Sequence, residues 1–247
     1  MHWTIQRGPR TSPTLLSVGD PMWIVTQVAP YADGPAGVHG VLGQAATALR
    51  QLGESAGLSP IMVDDVRDLS PLQLGEPGVL ALFTIGETPF SAAQQEAVLQ
   101  AWQAGELGLL GVHSATDACH TWPEYGSMIG ARFDGHPWTQ SFTIDVVDTA
   151  HPSTAHLGGS WEWHDEIYLF RSLQPDAHVL LRLADDQVDL TAPGGRVPDC
   201  GFPLAWCHSE QNGRTFYSAL GHFPGAWEST AYLRHLAGAL AWLRDRA

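Results

Sequence analysis

Imidazole dominates the reactive side chains of this 247-residue chain, with twelve histidines against twelve lysines plus arginines. The most informative histidine lies in the stretch GLLGVHSATDACH, where the apolar run Leu107 to Val112 stops at His113 and small or polar residues follow. A buried strand that hands one side chain to a tight turn, with Gly111, Ser114 and Ala115 beside it, presents a reactive group to a substrate. The plainer reading is a histidine that ends the strand and hydrogen-bonds to backbone. The small neighbours favour the functional one. Asp117, four residues on, orients an imidazole or serves a helix dipole, and the two readings weigh equally. Cys119 lies six residues past the turn and reads as a small buried hydrophobe.

Three further positions offer related chemistry. His136, between Gly135 and Pro137 in ARFDGHPW, suits a general base, a metal ligand or a plain turn residue. In WEWHDEIY, period-two alternation puts Glu162, His164, Glu166 and Tyr168 on one strand face, and Trp161, Trp163, Asp165 and Ile167 on the other. Aromatics interleaved with carboxylates fit a sugar-binding wall or an aromatic core equally well. His222 follows the apolar stretch TFYSALG. Together His113, His136, Glu166 and His222 carry the right atoms for a divalent metal such as zinc, although no H-E-x-x-H spacing marks such a site. Neither G-x-G-x-x-G nor G-x-x-x-x-G-K-[ST] occurs, so no nucleotide cofactor is expected.

These residues need elements to position them. Residues 22–28 (MWIVTQV), 60–66 and 79–85 (VLALFTI) read as strands, as does Leu107–Val112. Helices are expected over 38–56 and, from the capping box Ser91-Ala-Ala-Gln94, to about residue 104. That alternation predicts a mostly parallel sheet flanked by helices. The second half adds strands at 142–147, 161–170 and 178–183. Two more, at 204–209 and 215–220, flank Asn212-Gly213, which signals a tight hairpin. A closing amphipathic helix covers 229–243. Residues 1–20 read as an N-terminal extension and 21–247 as a single α/β domain. In open α/β sheets ligands lie beyond the carboxyl ends of the strands. His39, Glu87, His113 and His222 all fall in loops at that edge.

A formal net charge of −14 repels phosphate backbones and anionic lipid surfaces, so neither nucleic acid nor membrane is an expected partner. Three cysteines without a C-x-x-C pair fit a reducing compartment, and the N-terminus has no signal-peptide pattern. A cytoplasmic location is expected, and a homo-oligomer is compatible with the sequence.

The run GLLGVHSATDA, then WPEY at 122–125, GARF at 130–133 and the pair His136-Pro137, recur in a known order. So do DTAHP at 148–152, DEIY at 165–168, PLAW at 203–206, Gly213-Arg214 and Gly221-His222. Together they resemble the ThuA-like (trehalose-utilisation) family across residues 22–243. The resemblance implies a flavodoxin-like, three-layer fold of the class I glutamine amidotransferase type. In amidotransferases of that fold a cysteine fills the turn that here carries His113, and His222 falls where their histidine is expected. Without that thiol no glutamyl thioester can form, so glutaminase activity is not expected. The family is associated with bacterial disaccharide breakdown, including routes through 3-keto sugars. Carried over position by position, His113, His136, Glu166 and His222 are the functional polar residues. Ser114 departs from the family's usual alanine, and the loop 185–201 is idiosyncratic.

The leading expectation is an enzyme acting on a carbohydrate, a disaccharide or 3-keto-glycoside, by histidine acid–base or metal-assisted chemistry. Asp117 would support catalysis, and Glu87, Trp122, Tyr168 and Trp206 would contact substrate. One alternative is a non-catalytic carbohydrate-binding or regulatory module, in which Trp122, Trp163 and Trp206 dominate. Another is a metal-dependent hydrolase of a non-sugar substrate.

Overall fold

The computed structural model describes residues 19–31, 34–36 and 40–245. Most of the expected N-terminal extension, and His39, lie outside the described residues. In chain order the strands are β1 (Pro21–Val25), β2 (Pro30–Tyr31), β3 (Gly34–Ala36), β4 (Ser59–Val63), β5 (Gly78–Leu82), β6 (Leu107–Val112) and β7 (Arg132–Phe133). They continue as β8 (Trp138–Val146), β9 (Ser160–Ile167), β10 (Phe170–Arg171), β11 (His178–Leu183), β12 (Phe202–Glu210) and β13 (Gly213–Ser218). The helices are α1 (Leu42–Ser55), α2 (Pro71–Leu74), α3 (Ala92–Ala104), α4 (Pro123–Ile129), α5 (Pro224–Glu228) and α6 (Thr230–Arg244).

Nine strands form one sheet in the order β4-β1-β5-β6-β13-β12-β11-β8-β9. The first five are mutually parallel. Counting only those five by chain position, their order is 2-1-3-4-5, the flavodoxin-like arrangement. Every residue of β5 and β6 is buried, as near-continuous apolar strands covered on both faces should be. One core cluster packs α1 and α6 on one face through Ala45, Leu49, Leu236 and Leu240. The other packs α3 and α4 through Val98, Trp102, Tyr125 and Ile129.

The last four strands run antiparallel to their neighbours. In a flat sheet β9 would lie five strand spacings, about 24 Å, from β6. Yet Glu166, near the end of β9, stands 3.5 Å from His113, the residue after β6. The antiparallel half therefore curls back over the carboxyl edge of the parallel half, an extreme form of normal sheet coiling.

Several element boundaries differ from expectation for local reasons. The strand predicted to reach residue 66 stops at Val63, because the Asp65 side chain caps a 3-10 turn over Val66–Asp68. The 161–170 strand divides into β9 and β10. The hairpin bends at Gln211, which takes φ 57°, so the turn sits one residue before the Asn-Gly pair. No helix among the described residues is long and apolar enough to cross a membrane.

Helix α6 buries His235 completely. Its Nδ1 hydrogen-bonds the Ser153 carbonyl at 3.0 Å, and its Nε2 has no hydrogen-bond partner among the described residues. Burial pushes its pKa down from 6.5 to about 4, and burial does the same to His151. An unfolded histidine binds its proton at higher pH than the folded one. Stability is therefore complete above the unfolded value of 6.5 and is lost as pH falls towards 4. The loss is on the order of 3 kcal/mol for His235. Urea unfolding near pH 7.5 and near pH 5 should show about 2 kcal/mol of it. His235→Phe should be less stable at the higher pH, having lost the Ser153 bond, but should lose less on acidification.

Candidate functional site

The end of β6 holds His113 in a conformation that an L-residue seldom adopts, with φ 48°. Such a backbone costs about 1–3 kcal/mol and persists only where its surroundings fix it. Here the Tyr217 hydroxyl donates to the His113 carbonyl at 2.5 Å, and the ring Nδ1 lies 2.7 Å from the Ala219 carbonyl. A carbonyl can only accept, so Nδ1 carries the proton and, in the neutral ring, Nε2 presents its lone pair. That atom lies 2.8 Å from the Tyr168 hydroxyl, 3.2 Å from His222 Nδ1 and 3.5 Å from Glu166 Oε2. Protonation of His113 would turn Nε2 into a donor towards Glu166.

His222 reaches the same point from beyond β13. Its Nδ1 lies 3.4 Å from Glu166 Oε2. The preceding Gly221 has φ 121°, and a Cβ there would sit 2.6 Å from the Tyr232 hydroxyl, so only glycine fits the turn. The turn is held by Asp165, a fully buried carboxylate on the inner face of β9. Asp165 accepts hydrogen bonds from the backbone of Gly221 (2.8 Å), His222 (3.3 Å) and Glu166 (3.0 Å), and from the Trp163 indole (3.0 Å).

His113 Nε2, Glu166 Oε2 and His222 Nδ1 thus mark a triangle with edges of 3.2, 3.4 and 3.5 Å. Among the described residues these three form the group able to hold a metal ion. Ligands at zinc's usual bond lengths in a tetrahedron stand about 3.3–3.5 Å apart, so three corners are in place. The other oxygen of Glu166 lies 3.6 Å from Nδ1 of His136, whose side chain is 45 % exposed. Burial opposes ionisation of Glu166. The hydrogen bond and charge that His113 offers when protonated, with the charges of protonated His136 and His222, outweigh it and hold the carboxyl below its ordinary range. Burial lowers the His222 pKa more than Glu166 raises it, which favours the neutral, ligating ring. Burial drives the Tyr168 phenol well above its ordinary value, so it remains a donor.

The four residues proposed from sequence as catalytic or ligating, His113, His136, Glu166 and His222, therefore converge, with Tyr168 as their wall. Of the other expected roles, those of Asp117, Trp122 and Trp206 need correction. Asp117 does not orient His113: its carboxylate accepts from the Tyr31 hydroxyl at 2.5 Å and lies 3.0 Å from His120 Nε2. Glu87 Oε2 accepts from the backbone N–H and hydroxyl of Thr121. Trp206 is wholly buried, stacked on Tyr217 at 4.3 Å with its indole N–H on the Ile129 carbonyl. Trp122 is buried against Phe90 and Tyr125. Neither indole can offer a face to a sugar. Cys119 is the buried hydrophobe expected, and burial pushes its thiol up to about 12.

Asp165 is the positioning residue that motif reading passed over. Its signal was present, because a carboxylate on the strand face shared with Trp161, Trp163 and Ile167 needs buried partners. Asp165→Asn would turn an N–H group towards donors that need an acceptor. It should cost about 2–4 kcal/mol in urea unfolding. Imidazole nitrogen spectra should show His222 displaced more than His113. An unchanged His222 signal would remove Asp165 from this role.

A family model for ThuA, described as trehalose utilisation, matches residues 32–243. Among solved structures, a ThuA-like protein from Bacteroides uniformis superposes with a TM-score of 0.72 at 22 % identity, covering 94 % of each chain. A second, from Parabacteroides merdae, gives 0.71 at 16 % identity, covering 92 % of this chain and 90 % of that one. A cytoplasmic protein from Salmonella typhimurium gives 0.59 at 12 % identity, covering 90 % and 98 %. These likenesses establish a shared fold. No curated protein matches in sequence. With a family match over most of its length, the chain belongs to the ThuA, or trehalose-utilisation, family.

Proposed function

We propose that this protein is a metal-dependent enzyme of carbohydrate breakdown, acting on a disaccharide or 3-keto-glycoside. The observation that carries the reading is the triangle of His113 Nε2, Glu166 Oε2 and His222 Nδ1, whose edges suit one small divalent cation. Two imidazoles and a carboxylate form a ligand set typical of catalytic zinc, which keeps a further position open for substrate. The bond from His113 Nδ1 to a backbone carbonyl is the outer-shell support that fixes a ligating ring.

A cation held there would supply Lewis acidity towards a substrate carbonyl. The residues supply the rest. His136, whose Nδ1 stands 3.6 Å from Glu166 Oε1, offers Nε2 as a base on the exposed side of the site. In a 3-keto-glycoside the ketone acidifies the neighbouring C2–H. An imidazole removes that proton, the C2–H electron pair becomes a C1–C2 double bond as the C1–O bond breaks, and the imidazolium so formed gives the proton to the departing oxygen. The family's description supports the sugar assignment. The burial of Trp122 and Trp206 weighs against a binding module built on their indoles. We also assign the protein to the cytoplasm, in keeping with three cysteines that form no disulfide.

Elemental analysis of the purified protein should find about one divalent cation per chain. His113→Ala, His222→Ala and Glu166→Gln should each lose it. His136→Ala should keep the metal while turnover of 3-keto-glycosides falls about 10²- to 10⁴-fold. Full turnover by protein free of metal, or by His113→Ala, would overturn the reading.

A further inference from the structure

The lone pair that qualifies His113 as a ligand already has a protein partner. Because Nδ1 of the ring donates to the Ala219 carbonyl, Nε2 accepts, and the Tyr168 hydroxyl lies 2.8 Å from it. An imidazole nitrogen offers one lone pair, in the plane of its ring. That pair serves a hydrogen-bond donor or a cation, but not both. The phenol and a cation therefore compete for one atom.

The ring of Tyr168 cannot step aside to settle the competition. It is 3 % exposed and packed among His113, Phe133, His136 and Phe170, at centroid distances of 4.6, 4.6, 5.9 and 6.0 Å. Such packing leaves the hydroxyl hydrogen to move, by rotation about the C–O bond. Exchange at Nε2 then costs one hydrogen bond and no repacking. A buried O–H turned away from the nitrogen needs a new acceptor, since an unsatisfied donor is penalised. The carbonyl oxygen of a substrate, polarised at the same triangle, is such an acceptor.

We propose that Tyr168 is a two-position hydroxyl, which holds the His113 lone pair without a cation and donates to the substrate's carbonyl oxygen once a cation takes that pair. The inference rests on the metal-dependent reading above. No proton changes hands in this role. The phenol keeps its O–H, and the hydrogen bond strengthens as negative charge gathers on the carbonyl oxygen while C2 loses its proton.

Tyr168→Phe keeps the ring, removes the oxygen and should move the two functions in opposite directions. Zinc affinity, read by competition with a chromogenic chelator, should rise about three- to tenfold, because no hydrogen bond has to be given up. On 3-keto-glycosides kcat should fall about 10²- to 10³-fold with KM little changed. In protein stripped of metal, imidazole nitrogen spectra of the variant should show His113 Nε2 displaced from its wild-type position. A phenol that merely fills the core would leave zinc affinity unchanged, and that result would overturn the inference. So would an undisplaced His113 Nε2 or a kcat equal to that of the wild type. Weaker zinc binding by the variant would mark the phenol as a ligand and overturn the exchange. Each of these failures leaves the metal reading standing. Wild-type protein that takes up no zinc, or turns over no 3-keto-glycoside, would remove both.

Discussion

The site depends on one buried carboxylate joining two distant parts of the sheet. Asp165 on β9 collects the backbone N–H groups of Gly221 and His222, which follow β13, along with that of its own neighbour Glu166. β9 and β13 are four positions apart in the strand order, so these bonds form only because the antiparallel half curls over. A charge this deep is tolerated only with several donors around it. The closure of the sheet and the placement of Glu166 against His222 are therefore one structural event. Adjacent residues on a strand face opposite ways, so Asp165 can grip the fold while Glu166 points into the site.

Most of the parallel half was legible in the sequence because its rules are local. Apolar strands, the Ser91–Gln94 capping box and the abrupt end at His113 each leave a signature within a few residues. The convergence of His113, His136, Glu166 and His222 was legible from family motifs and from the rule that parallel sheets bind ligands at their carboxyl edge. The curl was not legible, because it arises from twist accumulated over five strands and no single residue encodes it. Trp206 and Trp122 misled for a related reason. An aromatic beside polar motifs reads as a substrate platform, and only the packing of Tyr217, Phe90 and Tyr125 shows that these indoles fill the core. Asp117 misled through geometry. The chain after His113 forms a 3-10 turn, and the carboxylate is directed to Tyr31 and His120.

The strained residue at the end of β6 sets which atoms this position can offer. With φ 48°, His113 is lifted off the strand line, and its ring is pinned by a carbonyl at one nitrogen while the other faces the site. A thiol in the same seat would have one reactive atom. An imidazole has two nitrogens with separate duties, one for anchorage and one for ligation or proton transfer. Exchanging the side chain type on an unchanged turn would change the chemistry available there without rebuilding the fold.

Electrostatics limits what such a site can hold. The triangle joins one ionised carboxylate to two imidazoles, and the lowered pKa values of Glu166 and His222 favour the forms that donate electron pairs to a cation. The surrounding chain carries a net charge of −14, which draws cations towards it and repels phosphorylated ligands. A field of that sign favours a small divalent ion over a phosphorylated ligand at the triangle.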